Sequence, residues 1–298
     1  MLNAKDVKSI EDAKRIVDER NLSHVKVGLF DIDGIMRGKY MSKEKFFSSL
    51  DSGFAFCDVV LGWDSKDQLY DNGKVTGWET GYPDAPVRIL PHTCRDIVDE
   101  PGQLLFISEF VDEAEKVCPR GTLRKVIEKG KAMGFDAFAA LEYEFFMFDE
   151  TPDSIREKGF RNLKPITPDF FGYSVIRNSV HSELYQQIMG MGELMDFPIE
   201  GLHTETGPGV LEAALAVDDA TKAADKAALF KTFMKVLAQR NNMMATFMAK
   251  WSGEYPGQSG HIHLSLTNSA DGSSAFYDAN NKHNISKIPR HFIAGQQR

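Results

Sequence analysis

The run Leu141-Glu-Tyr-Glu-Phe-Phe-Met-Phe148 constrains this chain more than any other segment. Its aromatic and apolar content reads as a buried strand, in which every second side chain points to the same face. Glu142 and Glu144 therefore project together, while Tyr143 and Phe145 project to the other side. Two carboxylates held side by side away from water repel each other and need a cation, a shared proton or water. A hard divalent ion such as Mg²⁺ or Mn²⁺ meets that need, because both prefer oxygen ligands. The alternative is an edge strand carrying two solvated acids.

Two later segments bear on that choice. In His203-Thr-Glu205-Thr-Gly-Pro-Gly-Val-Leu-Glu212, Pro208 presets φ and Gly209 accepts a positive φ, which is strong turn chemistry. With Pro208 and Gly209 at the tip of a tight hairpin, Glu205 and Glu212 fall opposite each other as a second carboxylate pair. A surface hairpin with unrelated acids is the other reading. Gly257-Gln-Ser-Gly260-His261-Ile-His263-Leu-Ser265-Leu266 alternates cleanly. His261, His263 and Ser265 share one face, and Ile262, Leu264 and Leu266 share a face expected to pack on a core. Imidazoles ligate metals and donate hydrogen bonds to phosphate, although a half-buried strand with solvated histidines has the same pattern. Together, the paired carboxylates, the His-x-His strand and the Gly-rich loop read most simply as a metal–phosphate site on a sheet.

The chain has 298 residues, room for one large or two ordinary domains, with apolar content of 42% and charged content of 26%. A formal charge of −8 argues against a nucleic-acid surface. No apolar run is long enough to span a bilayer, so no membrane partner is expected, and the first residues lack the pattern of a signal peptide. Cys57, Cys94 and Cys118 are widely spaced without Cys-x-x-Cys, which argues against a disulfide framework and suits a reducing cytoplasm.

The periodicity predicts a helix over Ser9–Arg20 with Ser9 and Asp12 as a cap pair, then a hairpin of Val25–Asp31 and Ile35–Tyr40 around Asp33-Gly34. A helix is expected over Thr122–Met133, capped by Thr122 and stopped by Gly134. Ser179–Met195 reads as helix, Ile199–Thr204 as strand, Asp218–Asn241 as a long helix with solvated lysines, and Ala245–Lys250 as strand. Asp153–Pro168 and Asn268–Asn284 read as loops. The fold class is α+β: an antiparallel sheet with helices on its back, not a doubly wound parallel sheet. There is no Walker A sequence and no G-x-G-x-x-G after a strand, so an ATP site would be of another type.

Leu141–Phe148, Gly201–Ala213, Ala245–Lys250 and Gly257–Leu266 resemble, in order, the glutamine synthetase family, ATP-dependent ligases that join ammonia to the γ-carboxylate of glutamate. Weaker matches at Gly28–Gly34, Arg37–Lys39 and Phe170–Tyr173 extend the resemblance over nearly the whole chain. It implies a small N-terminal β-grasp domain over residues 1–113 and a catalytic domain of antiparallel sheet with helices on its back over 114–298. It implies two divalent-ion sites: Glu144, Glu205 and Glu212 at the glutamate and amine end, and Glu142 and His261 bridging the nucleotide phosphates. It places His263 and Ser265 near the phosphates and Glu200 against the nucleotide. Gly257 would approach glutamate, and Tyr173 and Glu205 would lie beside the incoming amine. The implied ligands are ATP, glutamate, ammonia or a small amine, and Mg²⁺ or Mn²⁺. The implied assembly is a ring-shaped homo-oligomer in which a neighbour's N-terminal domain completes each site.

Two departures qualify the resemblance. Family members continue beyond Arg298 with a further glutamate ligand and with arginines that bind phosphate and substrate, so the chain reads as cut short. The aspartate that handles ammonium in ammonia-using members has only Asp58 or Asp64 as a counterpart here, and Pro256 replaces a loop asparagine. The pattern is closer to the branch that makes γ-glutamyl amides from organic amines. A non-catalytic binding or scaffold relative and a guanidino-type phosphotransferase are the alternatives; the His-x-His strand and the acidic hairpin favour the ligase.

Overall fold

The computed structural model describes residues 2–297. Ser9 accepts the Asp12 N–H and Asp12 accepts the Ser9 N–H, the predicted capping box, opening α1 (Ile10–Glu19). Ala13, Ile16 and Val17 form its buried stripe. β1 (His24–Phe30) and β2 (Met36–Ser42) pair antiparallel across a turn with Gly34 at φ 72°. Ser42 then caps α2 (Lys43–Ser52). β3 (Phe54–Cys57), β4 (Asp84–Ile89), β5 (Arg95–Ile97) and β6 (Glu100–Phe110) complete a sheet ordered β2-β1-β6-β4-β3, with β5 on β6. β1 and β6 run parallel, so this sheet is mixed. Alternation along β6 divides its two faces. Phe106 and Phe110 pack with Phe46 and the α1 stripe, whereas Leu105 and Ile107 join a core formed with the rest of the chain.

α3 (Pro119–Ala132) begins earlier than predicted. Cys118 is its N-cap and Pro119 its first residue, so Thr122 lies inside the helix. Proline at that position costs no hydrogen bond and presets φ, which outweighs the capping preference of a threonine. Gly134, at φ 89°, ends the helix and leads into β7 (Phe135–Phe148). α4 (Pro152–Glu157) occupies part of an expected loop. Short α5 (Val175–Val180) precedes α6 (Ser182–Leu194), which covers most of the helix predicted over Ser179–Met195. β8 (Ile199–Thr204), β9 (Val210–Leu215), β10 (Asp218–Asp219), α7 (Ala220–Arg240), β11 (Met244–Thr246), β12 (Gly260–Asn268) and α8 (Lys287–Gln296) follow.

β7 is the spine of a second, wholly antiparallel sheet. β9 and β10 pair with one of its edges. β12 pairs with the other edge along residues 135–143, and β11 continues along residues 146–148. The apolar face carries Phe145, Met147, Leu211 and Ala213 and lies under Ile188 of α6 and Phe230, Phe233 and Leu237 of α7, as the alternation predicts.

Two expectations fail here. Ile262 and Leu264 of β12 are 67% and 41% exposed, not packed on a core. α7 lies over β7, β10 and β11 and α6 over β8, which leaves the edge strand β12 bare on that face. Nor are the lysines of α7 uniformly solvated. Lys226 is buried and its ammonium sits 2.8 Å from Asp218.

A buried ionic network ties the first sheet to α3 and α7. Arg120 of α3 reaches Glu109 of β6 at 2.6 Å and grips Asp225 of α7 with two nitrogens at 3.0 Å. Glu109, 1% exposed, also accepts from Arg88 and Arg124, each at 2.7 Å. Burial pushes the Glu109 carboxyl up, but Arg120 and Arg88 outweigh it and hold the group below its usual range.

Candidate active site

Strand register assembles the site. Glu142 lies opposite His261 of β12, and Glu144 lies opposite Glu212 of β9. The Glu142 carboxylate is 3.1 Å from Nδ1 of His261 and 3.2 Å from Nε2 of His263. Ser265 continues the same face one step further on, opposite Phe138. The alternation read from both segments thus meets in one place, on the sheet face away from α6 and α7.

The acidic hairpin has a different register from the expected one. Residues 206–209 form a four-residue loop; His203, not Glu205, lies opposite Glu212, and Glu205 N–H donates to Val210 at 3.0 Å. Gly209 explains the wider loop. Its N–H donates to Thr167 and its carbonyl accepts from Met147 at 2.8 Å, which holds the tip against β7 instead of closing it. Its φ is 70°, and a Cβ there would come 2.5 Å from the Met147 carbonyl oxygen. Glu205 is therefore a diagonal neighbour of Glu212, still on the same face.

This register brings in His203, which the sequence reading missed, although its position two residues before Glu205 on one strand was the available signal. Ligand atoms of His203, Glu205 and Glu212 lie within 4.8 Å of one another, and so do those of Glu142, Glu212 and His261. Glu212 belongs to both groups. Glu144 belongs to neither: its carboxylate accepts the Ser259 N–H at 3.1 Å and the Ser259 hydroxyl at 3.3 Å. Tyr173, with φ at 55°, donates its N–H to Thr204 and stacks on the His203 ring at 4.5 Å between centroids. Glu200 is exposed at the irregular step between Ile199 and Gly201 of β8. Gly257 lies on the loop before β12, where a Cβ would come 2.7 Å from the Ala249 carbonyl oxygen. Buried Gln258 fixes that loop by donating to Ala249 and Met248, each at 2.7 Å. Glu142, Glu144, Gln258, Ser259, Lys231 and Phe247 line a cleft of about 310 Å³ at its base.

The charge balance is informative. Among the described residues no Lys or Arg pairs with Glu142, Glu144, Glu205 or Glu212; only imidazoles do. Burial raises the Glu212 carboxyl above its usual range, and the charges of Glu144, Glu142 and Glu205 push the same way against His203. Glu205 is lowered: burial works against its ionisation, but hydrogen bonds from Thr206 and from the Tyr173 hydroxyl outweigh it. The same bond to Glu205 raises Tyr173. Carboxylate oxygens and imidazole nitrogens with no fixed counter-charge suit Mg²⁺ or Mn²⁺. Asp58 and Asp64 stand outside these groups. Asp58 is buried and accepts from Thr76 at 2.7 Å, and Asp64 accepts the N–H groups of Lys66 and Gln68.

Residues 116–298 match the family described as glutamine synthetase, catalytic domain. Type-1 glutamine synthetase 2 of Dictyostelium discoideum is 44% identical over 277 residues, which cover 91% of this chain and 53% of that protein. A glutamate–isopropylamine ligase of a Pseudomonas species is 33% identical over 99% of this chain and 65% of its own length. A solved GmaS–ADP complex shares the fold with a TM-score of 0.78 at 19% identity, over 95% of this chain and 61% of that one. The chain thus spans between about half and two thirds of the length of the curated relatives it matches. From the carboxylate strand to the His-x-His strand, the chain belongs to the glutamine synthetase family.

Proposed function

We propose that the protein acts as an ATP-dependent carbon–nitrogen ligase that activates the γ-carboxylate of glutamate as an acyl phosphate and passes it to ammonia or a small amine. One observation carries this reading: four carboxylates share one sheet face, three of them in two clusters with His261 and His203, and among the described residues no Lys or Arg pairs with any of the four. Family membership supports it, as do the names of relatives that are ligases of glutamate.

Glu142 and His261 are assigned to the ion at the nucleotide phosphates, and Glu144, Glu205 and Glu212 to the ion at the glutamate end. Such ions supply charge neutralisation while one anion phosphorylates another. His263 and Ser265 are assigned to donate to phosphate oxygens, and Glu200 to the nucleotide. Gly257 has no side chain to obstruct glutamate beside Glu144. Thr206, and to a smaller extent Tyr173, favour the ionised form of Glu205, which suits Glu205 to take a proton from an incoming ammonium group. An organic amine is a second reading of the nucleophile. Asp58 and Asp64 each accept hydrogen bonds on one carboxylate oxygen and lie outside the carboxylate–histidine groups, which favours an organic amine over ammonium.

Residues 1–113 are assigned to a β-grasp domain and 114–298 to the catalytic domain. A cytoplasmic homo-oligomer, a ring as in the family, is the proposed state; among the described residues no helix is long and apolar enough to cross a membrane. The test is phosphate release from ATP with Mg²⁺ and glutamate, comparing ammonia with small amines. Release that requires glutamate and rises with one nucleophile is expected. ATP turnover indifferent to glutamate would overturn the assignment.

A further inference from the structure

The four lysines of α7 fall into two kinds. Lys222 and Lys226 pair with Asp218 and Asp219. Lys231 and Lys235, one turn apart further along the helix, are half-buried and have no acidic partner among the described residues. Two like charges at this spacing repel. Burial lowers Lys235, and the charge of Lys231 lowers it further. The Lys235 ammonium also lies 5.9 Å from the centre of the Phe247 ring. Both lysines line a cavity of about 410 Å³ with Ser65, Thr246, Phe247 and Asp33. Asp33 pairs with neither lysine. Two lysines and two hydroxyl side chains thus line a space that also holds one carboxylate, and among the described residues neither lysine is ion-paired.

We propose that Lys231 and Lys235 form a second anion site, which takes a small phosphate-bearing molecule on the helix side of the catalytic sheet. It is separate from the face bearing His261 and His263. Lys231 and Phe247 line this cavity and the carboxylate cleft alike, so they form the wall between them. Phe247 stacks on Phe145 at 5.3 Å and meets Tyr143 edge-on at 5.4 Å, and Tyr143 separates Glu142 from Glu144.

The test is calorimetric titration with inorganic pyrophosphate in the presence of EDTA, so that no divalent ion can recruit it to the carboxylates. Lys231→Met and Lys235→Met keep the apolar stem and should each weaken binding about tenfold, the size of one charged hydrogen bond. Lys235→Arg should retain it, and Glu142→Gln should leave it unchanged. A thermal melt gives a second readout. Pyrophosphate should raise the Tm of the wild type but not of Lys235→Met, whose own Tm without ligand should be no lower, since it loses an unpaired half-buried charge. Absence of pyrophosphate binding in the wild type, or binding that both methionine variants keep, overturns the proposal.

Discussion

Glu142 and His261 occupy one rung of the ladder between β7 and β12, with Nδ1 3.1 Å from the carboxylate. Backbone pairing fixes their approach, so the pair is positioned before any ligand arrives. Glu142→Ala should weaken Mn²⁺ binding roughly tenfold or more, since loss of even a supporting group costs 10- to 100-fold at metal sites. The measurement is Mn²⁺ titration followed by electron paramagnetic resonance, and unchanged affinity would remove Glu142 from the metal site.

Glu212 predicts opposite effects on stability and on binding. Its folded-state pKa is raised, so its ionised form is disfavoured by folding and the free protein gains stability as pH falls through that titration. Glu212→Gln should therefore raise the Tm of the metal-free protein at pH 7 while lowering Mn²⁺ affinity. Thermal melts with and without Mn²⁺ check both halves; a lower metal-free Tm would contradict the electrostatic account.

Arg120 holds two buried acids at once. Arg120→Met leaves Asp225 without its guanidinium and should cost about 3 kcal/mol, the scale for breaking a buried pair on one side. Arg120→Met combined with Asp225→Leu should recover much of that loss, because no orphan charge remains. Urea denaturation of the single and double variants measures the coupling.

Gly209→Ala should destabilise the hairpin by roughly 1–3 kcal/mol, from a positive φ and a Cβ driven into the Met147 carbonyl. Because the same loop sets the register of Glu205 against Glu212, metal affinity should fall with it. A variant with native stability and native Mn²⁺ binding would show that the loop does not set the site.

Glu150, 4% exposed, is held at a pKa of about 2 by Lys158, the Ser154 hydroxyl and the Lys164 N–H. A depressed carboxyl contributes stability above its unfolded pKa and loses it as pH falls toward the folded value. Glu150→Gln should lower Tm at pH 7, with the gap to wild type narrowing from about pH 4.5 downward. A gap independent of pH would assign the loss to packing instead.

The parts of the site legible in the sequence were those governed by strand alternation. Glu142, Glu144, His261 and His263 share a face because of a period of two, and the Ser9–Asp12 cap is similarly local. The His203–Glu212 rung was not legible, because register depends on how Gly209 is held by Met147 and Thr167, residues far away in sequence. Ser259 bonding to Glu144 required the loop before β12 to return to the middle of β7, far away in sequence. The exposure of Ile262 and the burial of Lys226 depend on which strands the helices cover, and periodicity within β12 or α7 carries no information about that.

The outer edge of β7 is served by two independent strands, and the chain between them departs and returns beside Glu144. β11 and β12 each keep their own ladder, so insertions or deletions between Phe247 and Ser259 need not shift either one. The excursion can therefore change length without altering the register that holds Glu142 opposite His261.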